Sequence, residues 1–152
     1  NVWVKGVREP LDRARPLTAD TVRPVRQYFW TRDGKAILFA QDRGGDENFN
    51  IYAVDPAAPP APGSPVPAAR DLTRLTGVAV QIVDVPKFDP DVIFVGLNDR
   101  DKAWHDLYRL RISTGERTLV RRNTDRIAGW QLDLQGKLRL ALRTTDKGAT
   151  EI

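Results

Sequence analysis

The chain contains no cysteine and no methionine, a single histidine and only two serines in 152 residues. Without cysteine there can be no disulfide, no thiol nucleophile and no thiolate-bound metal. With His105 as the sole imidazole, any metal site would have to be built from oxygen ligands, and no cofactor is expected. Asp42, Asp46 and Glu47 do not follow the D-x-[DN]-x-[DN]-G spacing that wraps calcium. The serines narrow the chemistry further. A serine nucleophile needs a base, an oxyanion hole and usually the strained G-x-S-x-G elbow. Ser64 lies in a proline-rich stretch and Ser113 in a turn between strands, and neither stands in that motif. Gly44-Gly45 is too short for a phosphate-cradling loop and precedes a strand, not a helix. Long apolar runs are missing as well: none approaches the roughly 18 residues of a membrane-spanning helix. With Asn1 at the start and no methionine, the chain is expected to be a segment of a longer protein. Its compartment, cytoplasmic or periplasmic, is left open.

Charge is present but of mixed sign. The formal net charge is +4, and Lys and Arg together number 24 against 20 Asp and Glu. A basic balance of this kind raises nucleic acid as a partner. Here, however, the signs alternate, as in Arg32-Asp33, Asp42-Arg43 and Asp99-Arg100-Asp101-Lys102. That pattern predicts a solvated mixed-charge surface, with no nucleic-acid and no membrane partner.

What the chain has in quantity is short strands. Between Arg23 and Asp55 three apolar runs, Val25–Trp30, Ala36–Ala40 and Phe49–Val54, are separated by Asp33-Gly34 and Gly44-Gly45. These turn pairs supply the positive φ angles of tight hairpins. A fourth run, Arg70–Leu75, follows a proline-rich gap, completing a four-stranded antiparallel meander, the unit of a β-propeller blade. The unit recurs. Asp33–Phe39 aligns with Asp89–Val95 and with Gln135–Ala141, at offsets of 56 and 46 residues. The first offset is inflated by nine extra residues between Tyr52 and Leu72, relative to Tyr108 and Leu119. Without them the period is near 47, which is blade length. Third strands repeat as Val2–Val4, Ile51–Val54 and Leu107–Leu110, and Ala14–Thr18 echoes Ala69–Thr73.

The fold class expected is therefore all-β, a partial β-propeller of about three blades of four-stranded antiparallel meanders. Residues 1–22 supply outer strands of a first blade. Residues 23–77 form a blade with the insertion 56–69, residues 78–122 a second, and residues 123–152 an incomplete one. The insertion PAAPPAPGSPVPAA is expected to be an extended, mobile surface segment with polyproline II character. Asn98–Asp106 reads as a charged hairpin tip. Leu138, Leu140 and Leu142 are placed on one face of a strand, opposite Arg139, Ala141 and Arg143. Most aromatic residues fall at strand positions, where packing is their first use.

The run RPVRQYFWTRDGKAILFAQDRGGDENFNIYAVD, followed by ARDLT, VQIVDV, VGLNDRDKAWHDLYRLRISTGE and ALRTTDKGATEI, carries a family likeness. It resembles the N-terminal β-propeller of prolyl-oligopeptidase-family serine peptidases, in the bacterial acylaminoacyl-peptidase or dipeptidyl-peptidase branch. The most specific pieces are Tyr28-Phe29-Trp30, Gly44–Asn48 and Leu97–Asp101. The resemblance implies a two-domain protein: an α/β-hydrolase domain carries a Ser-Asp-His triad, and the propeller covers its active site and filters peptide substrates by size. No position here matches that triad. The paired glutamates that anchor the substrate amine in some dipeptidyl peptidases have no clear counterpart, Asp46-Glu47 being a weak candidate.

Two readings follow. In the first, the chain is the non-catalytic propeller segment of a serine peptidase, inactive alone and partnered by the hydrolase domain. In the alternative it is a stand-alone TolB-like scaffold or ligand-binding propeller fragment. In either case unpaired strand edges are expected to promote self-association. The hairpins Asp42–Asn48, Asn98–Asp106 and Thr144–Ala149 are expected to share one side of the disc and to form its working face. Asp46, Glu47, Asn48, Asp99, Arg100 and His105 would make interdomain or substrate-gating contacts there. A solvated rim is the plainer use of the same charges.

Overall fold

A computed structural model describes all residues, Asn1–Ile152. The chain divides into two compact units, Asn1–Arg74 and Leu75–Ile152. It is all-β, with a single 3-10 turn at Leu11–Arg13 and four antiparallel sheets, none closed on itself.

In the first unit, β1 (Trp3–Val4) pairs with β2 (Arg15–Pro16). A four-stranded sheet follows in chain order: β3 (Gln27–Trp30), β4 (Ile37–Gln41), β5 (Asn50–Val54) and β6 (Ala69–Asp71). The β3–β4 turn is built by its own side chains. Thr31 Oγ1 donates to Asp33 Oδ1 at 2.7 Å, the Lys35 N–H donates to the same carboxylate at 3.1 Å, and Gly34 takes φ 71°. Strand β4 is buried from Ile37 to Ala40, as a central strand covered on both faces should be. Its Ile37 and Phe39 join Val2, Leu17 and Val54 in the core, which therefore spans both sheets of the unit. The Phe39 and Tyr52 rings stack across the β4–β5 pair, with centroids 5.3 Å apart.

The repeat visible in the sequence has a hydrogen-bond counterpart. Leu17 N donates to Val2 O and Leu72 N to Ile51 O, both at 2.8 Å. The threonine that follows each leucine then accepts from the same partner: Val2 N to Thr18 Oγ1 at 2.9 Å, and Ile51 N to Thr73 Oγ1 at 3.1 Å. Each hydroxyl in turn donates to an asparagine, Asn1 or Asn50, at 3.0 and 2.7 Å. The buried polar groups are thereby satisfied within the repeat.

In the second unit, β7 (Val80–Asp84), β8 (Val92–Asp101), β9 (Trp104–Arg111) and β10 (Arg117–Arg121) form another meander. A three-stranded sheet holds β11 (Ile127–Leu132), β12 (Leu138–Thr144) and β13 (Thr150–Glu151). Val92, Phe94 and Leu107 of the first sheet pack with Trp130 of the second, so the two sheets share a core. Gly136 closes the β11–β12 turn at φ 74°. A Cβ there would lie 2.4 Å from the Phe88 ring, which leaves glycine as the residue that fits.

Asn98–Asp106 is the charged hairpin tip expected, most of it in regular strand: β8 continues to Asp101 and β9 starts at Trp104, leaving two turn residues. The charges there are strand residues whose side chains find partners across the ladder. Two expectations need correction. The insertion is not an extended polyproline rod. Ala58 N donates to Asp55 O, Ala61 N to Val66 O and Ser64 N to Ala61 O, so the segment folds into turns, and Pro67 is buried. Finally, Leu138, Leu140 and Leu142 do not share a face. The register shifts between Gln131 and Leu132, putting Leu140 opposite Gln131 and Leu138 opposite Leu132. That bulge breaks the two-residue alternation. Leu138 and Ala141 pack on the core, while Leu140 is 51% exposed.

Candidate functional site

The β4–β5 connection begins at Asp42, which is buried and ion-paired with Arg23 at 3.3 Å. Asp42 Oδ2 also accepts from Glu47 N at 3.2 Å, drawing the loop closed. Gly44, Gly45 and Glu47 all adopt positive φ, at 66°, 91° and 59°. The glycines take it freely, whereas Glu47 is held in the left-handed region by that contact to Asp42. Asp46 Oδ1 accepts from Asn48 N at 3.0 Å and from Arg43 N at 3.3 Å, and Asn48 Nδ2 donates back to Asp46 O at 3.1 Å. The Asn48 N–H, first among its partners, holds the Asp46 carboxyl below its ordinary range. Asp46 and Glu47 are both exposed, and the bonds of the Asp46 carboxylate stay within the loop.

The β8–β9 hairpin uses its charges differently. Arg100 forks onto Asp106, Nε to Oδ2 at 2.9 Å and Nη2 to Oδ1 at 2.8 Å, and Nη2 also reaches Asn123 O at 2.8 Å. This bidentate geometry is the strong form of an arginine–carboxylate contact. Asp106 is 2% exposed and also accepts from Asn123 N at 2.7 Å. Its carboxyl is held below the usual range by Arg100 first and Asn123 next, against the cost of burial. Asn123 carries the connection onward, with Ile127 N donating to Asn123 Oδ1 and Asn123 Nδ2 donating to Ile127 O, both at 2.8 Å. Asp99 accepts from the Tyr108 hydroxyl at 3.2 Å.

His105 lies across Gly96, where a Cβ would come within 3.0 Å of its own Cβ. Its Nε2 is buried without a hydrogen-bond partner, and desolvation pushes the imidazole below its ordinary 6.5, with the Ala79 backbone pulling weakly the other way. No serine stands ready for it as a base. The far end of β9 at Arg111 is roughly 20 Å from His105 at about 3.3 Å per residue, Ser113 lies beyond it, and the Ser113 hydroxyl donates to Asp91 Oδ2 at 2.7 Å. Ser64 Oγ accepts from Val66 N at 3.2 Å. Both hydroxyls therefore serve turns. No three of the Asp, Glu and His side chains converge as metal ligands would.

Of the six residues expected at a working face, Asp46, Glu47 and Asn48 lie together in the first unit. Asp99, Arg100 and His105 lie on one hairpin of the second. Sequence reasoning missed Asp106 and Asn123, which do most to organise that hairpin. The signal was present in the spacing, since Asp106 immediately precedes Leu107 as Asn50 precedes Ile51.

Two cavities flank these elements, each inside one unit. One of about 430 Å³ lies over the Phe39–Tyr52 stack, with Asp20, Gln41 and Arg43 on one side and Val66 and Pro67 of the insertion on another. The second, of about 390 Å³, opens between β7, β9 and β11 and contains Trp104, His105 and Trp130.

The chain is similar to part of two proteins named as dipeptidyl peptidases. Over all 152 residues the chain is 37% identical to dipeptidyl aminopeptidase BIII of Pseudoxanthomonas mexicana, and over 115 residues it is 29% identical to dipeptidyl peptidase family member 6 of Caenorhabditis elegans. It spans 21% of the length of the first and 15% of the second. No protein-family profile matches the chain.

Proposed function

We propose that the chain is a non-catalytic β-propeller segment of a dipeptidyl-peptidase-type serine peptidase of the prolyl-oligopeptidase family. In this reading the four-stranded meanders are blades, and a separate α/β-hydrolase domain is the partner that carries the catalytic triad. The propeller covers that domain's active site and restricts which peptides reach it. The observation that carries the reading is the end-to-end similarity to a dipeptidyl aminopeptidase. The structure supports it in two ways. The chain repeats a four-stranded antiparallel unit, and both of its serine hydroxyls are occupied in turns, away from His105. The relatives found are peptidases, which favours this reading over a stand-alone TolB-like scaffold.

The exposed carboxylates of Asp46, Glu47 and Asp99 are the groups best placed to make polar contacts with the hydrolase domain. Arg100 is already committed to Asp106 and Asn123, so its role is to hold the hairpin in shape. The test uses the protein that carries this segment and a fluorophosphonate, which labels activated serines. The reading expects release of dipeptides from unblocked peptides, loss of that activity on labelling, and a labelled serine outside these residues. Label on Ser64 or Ser113, or peptidase activity untouched by the reagent, would overturn it.

A further inference from the structure

Strand β3 ends its sheet in the first unit, and its outer edge has no strand beside it. The bond phase of the sheet shows which groups that edge offers. Leu72 N donates to Ile51 O, so the backbone of Ile51 turns toward β6. Bonded groups alternate in direction along an antiparallel strand, so Asn50, Tyr52 and Val54 turn toward β4. By the register, Gln41, Phe39 and Ile37 answer them, which leaves Leu38 and Ala40 to bond Phe29 and Gln27. The β3–β4 turn agrees: Thr31, two residues on from Phe29, donates its N–H to Ala36 O at 2.8 Å. The N–H and C=O of Tyr28 and Trp30 therefore point outward, and neither backbone bonds elsewhere in the chain.

The side chains of the same two residues add apolar surface. Tyr28 stands opposite Phe39 and Trp30 opposite Ile37, so both rings share the face that carries those core residues, and both are at least half exposed. Edge strands are ordinarily blunted by proline, by charge or by a bulge. Gln27–Trp30 has none of these, and its pairing with β4 runs without a register shift. The outer edge of β10, by contrast, has arginine at both ends and a shifted register. Around β3 the charges stand just outside the strand: Arg26 before it and Arg32 after it, both exposed. A strand laid antiparallel along this edge would exchange two hydrogen bonds with each of Tyr28 and Trp30 and set two of its own side chains beside the rings. A second copy of β3 fits poorly. The pairing that joins Tyr28 to Trp30 about a two-fold axis also sets Arg26 of one copy opposite Arg32 of the other, and like charges directly opposite destabilise a sheet.

We infer that the β3 edge binds an extended peptide segment antiparallel to it, with β-branched or aromatic residues opposite Tyr28 and Trp30 and an acidic residue two positions beyond each, beside Arg26 and Arg32. Strand addition of this kind takes its affinity from the backbone and its selectivity from alternate side chains. The inference stands on the edge alone and does not require that the protein be a peptidase.

The test measures binding of a fluorescent Glu-Thr-Val-Thr-Val-Thr-Glu peptide, acetylated and amidated at its ends, to the protein that carries this segment after treatment with a fluorophosphonate. The blocked ends and the blocked serine keep the probe out of a peptidase site, so this result and the peptidase reading can fail separately. Saturable binding is expected. N-methylation of both valines, whose N–H groups face β3 in this register, should weaken it at least about tenfold, a loss near 1.4 kcal/mol. N-methylation of the middle threonine, whose N–H faces away, should leave it within about threefold. Tyr28→Pro removes an outward donor and a ring without touching the bonds to β4, and should match the effect of the methylated valines. Lysine in place of both glutamates should weaken binding about fivefold. Absence of saturable binding up to about 1 mM, a threshold near −4.1 kcal/mol, would overturn the inference, as would methylated valines that bind as tightly as the parent. A lysine-ended probe of undiminished affinity would overturn the acidic partner. Dimers in sedimentation that the peptide fails to dissociate would assign the edge to a second copy and overturn it as well.

Discussion

Asn50 and Asp106 occupy corresponding places in two sheets of the same strand order. Asn50 stands opposite Gln41 at the start of β5, and Asp106 opposite Leu97 near the start of β9. Each is buried, and each ties its strand to the connection that leaves the sheet, through Thr73 in one unit and Asn123 in the other. The first tie is neutral and complete within the repeat. The second carries a charge, and the longer β8–β9 hairpin brings Arg100 over to balance it. The difference shows that a run of charges in a hairpin has two distinct uses. Around Arg100 they are internal structure, whereas at Asp46 and Glu47 they are exposed loop charges open to a partner.

The largest effect expected from this contrast is on stability. Asp106→Ala leaves a guanidinium and the Asn123 N–H without their acceptor, and should cost about 2–3 kcal/mol in chemical denaturation. Asn50→Ala removes a neutral partner and should cost about 1–2 kcal/mol. Equal losses at the two positions would break the comparison. Exchanging residues Pro56–Pro67 of the 56–69 insertion for a four-residue turn like Ser113–Glu116 should cost less than about 2 kcal/mol, because loop entropy varies slowly with length. A larger loss would mean that the turns around the buried Pro67 help hold the first unit together.

Acid should separate two further contributions. The folded-state pKa of His105 lies below its ordinary 6.5, so its contribution to stability is complete above that value. It is lost as pH falls from 6.5 through the lower folded value, because the unfolded chain binds the proton first. Asp106 behaves alike from its ordinary 3.8 downward, so its contribution disappears later on acidification. His105→Gln should flatten stability just below about pH 6.5, and Asp106→Asn should flatten it only in the more acid range. A decline near pH 6 that survives His105→Gln, in a chain with no other histidine, would remove burial of the imidazole as its cause.

Smaller still is an association effect. Tyr28 and Trp30 on the edge strand β3 are 59% and 50% exposed, and every residue of the edge strand β10 is exposed. Such edges recruit strands. Sedimentation of the 152-residue chain should show concentration-dependent dimers that Trp30→Lys together with Leu119→Lys reduces. A monomer at every concentration would contradict this.

The strands and their order were legible in the sequence because Asp-Gly and Gly-Gly turns punctuate runs of β-branched and aromatic residues at a fixed period. The Leu-Thr echo of residues 17–18 and 72–73 marked a hydrogen-bond motif as well as a strand. What was not legible depends on partners distant in sequence. Asp99-Arg100-Asp101 reads only as the charged end of a hairpin until Tyr108 is seen across the ladder donating to Asp99 and Asp106 accepting from Arg100. A single bulge in the β11–β12 pair was enough to turn Leu140 outward. The proline-rich insertion hides its turns because proline content reports missing donors, not where the remaining N–H groups go.

The division between structural and available charges is tested most directly by Asp46→Ala combined with Glu47→Ala in the protein that carries this segment. If these carboxylates contact the hydrolase domain, kcat/KM for peptides should fall by about tenfold, some 1.4 kcal/mol, while the thermal midpoint stays unchanged. Asp106→Asn should do the reverse, lowering the midpoint more than the kinetics. Unchanged peptidase kinetics and domain opening in a folded Asp46→Ala, Glu47→Ala protein would contradict the account and place the working face elsewhere.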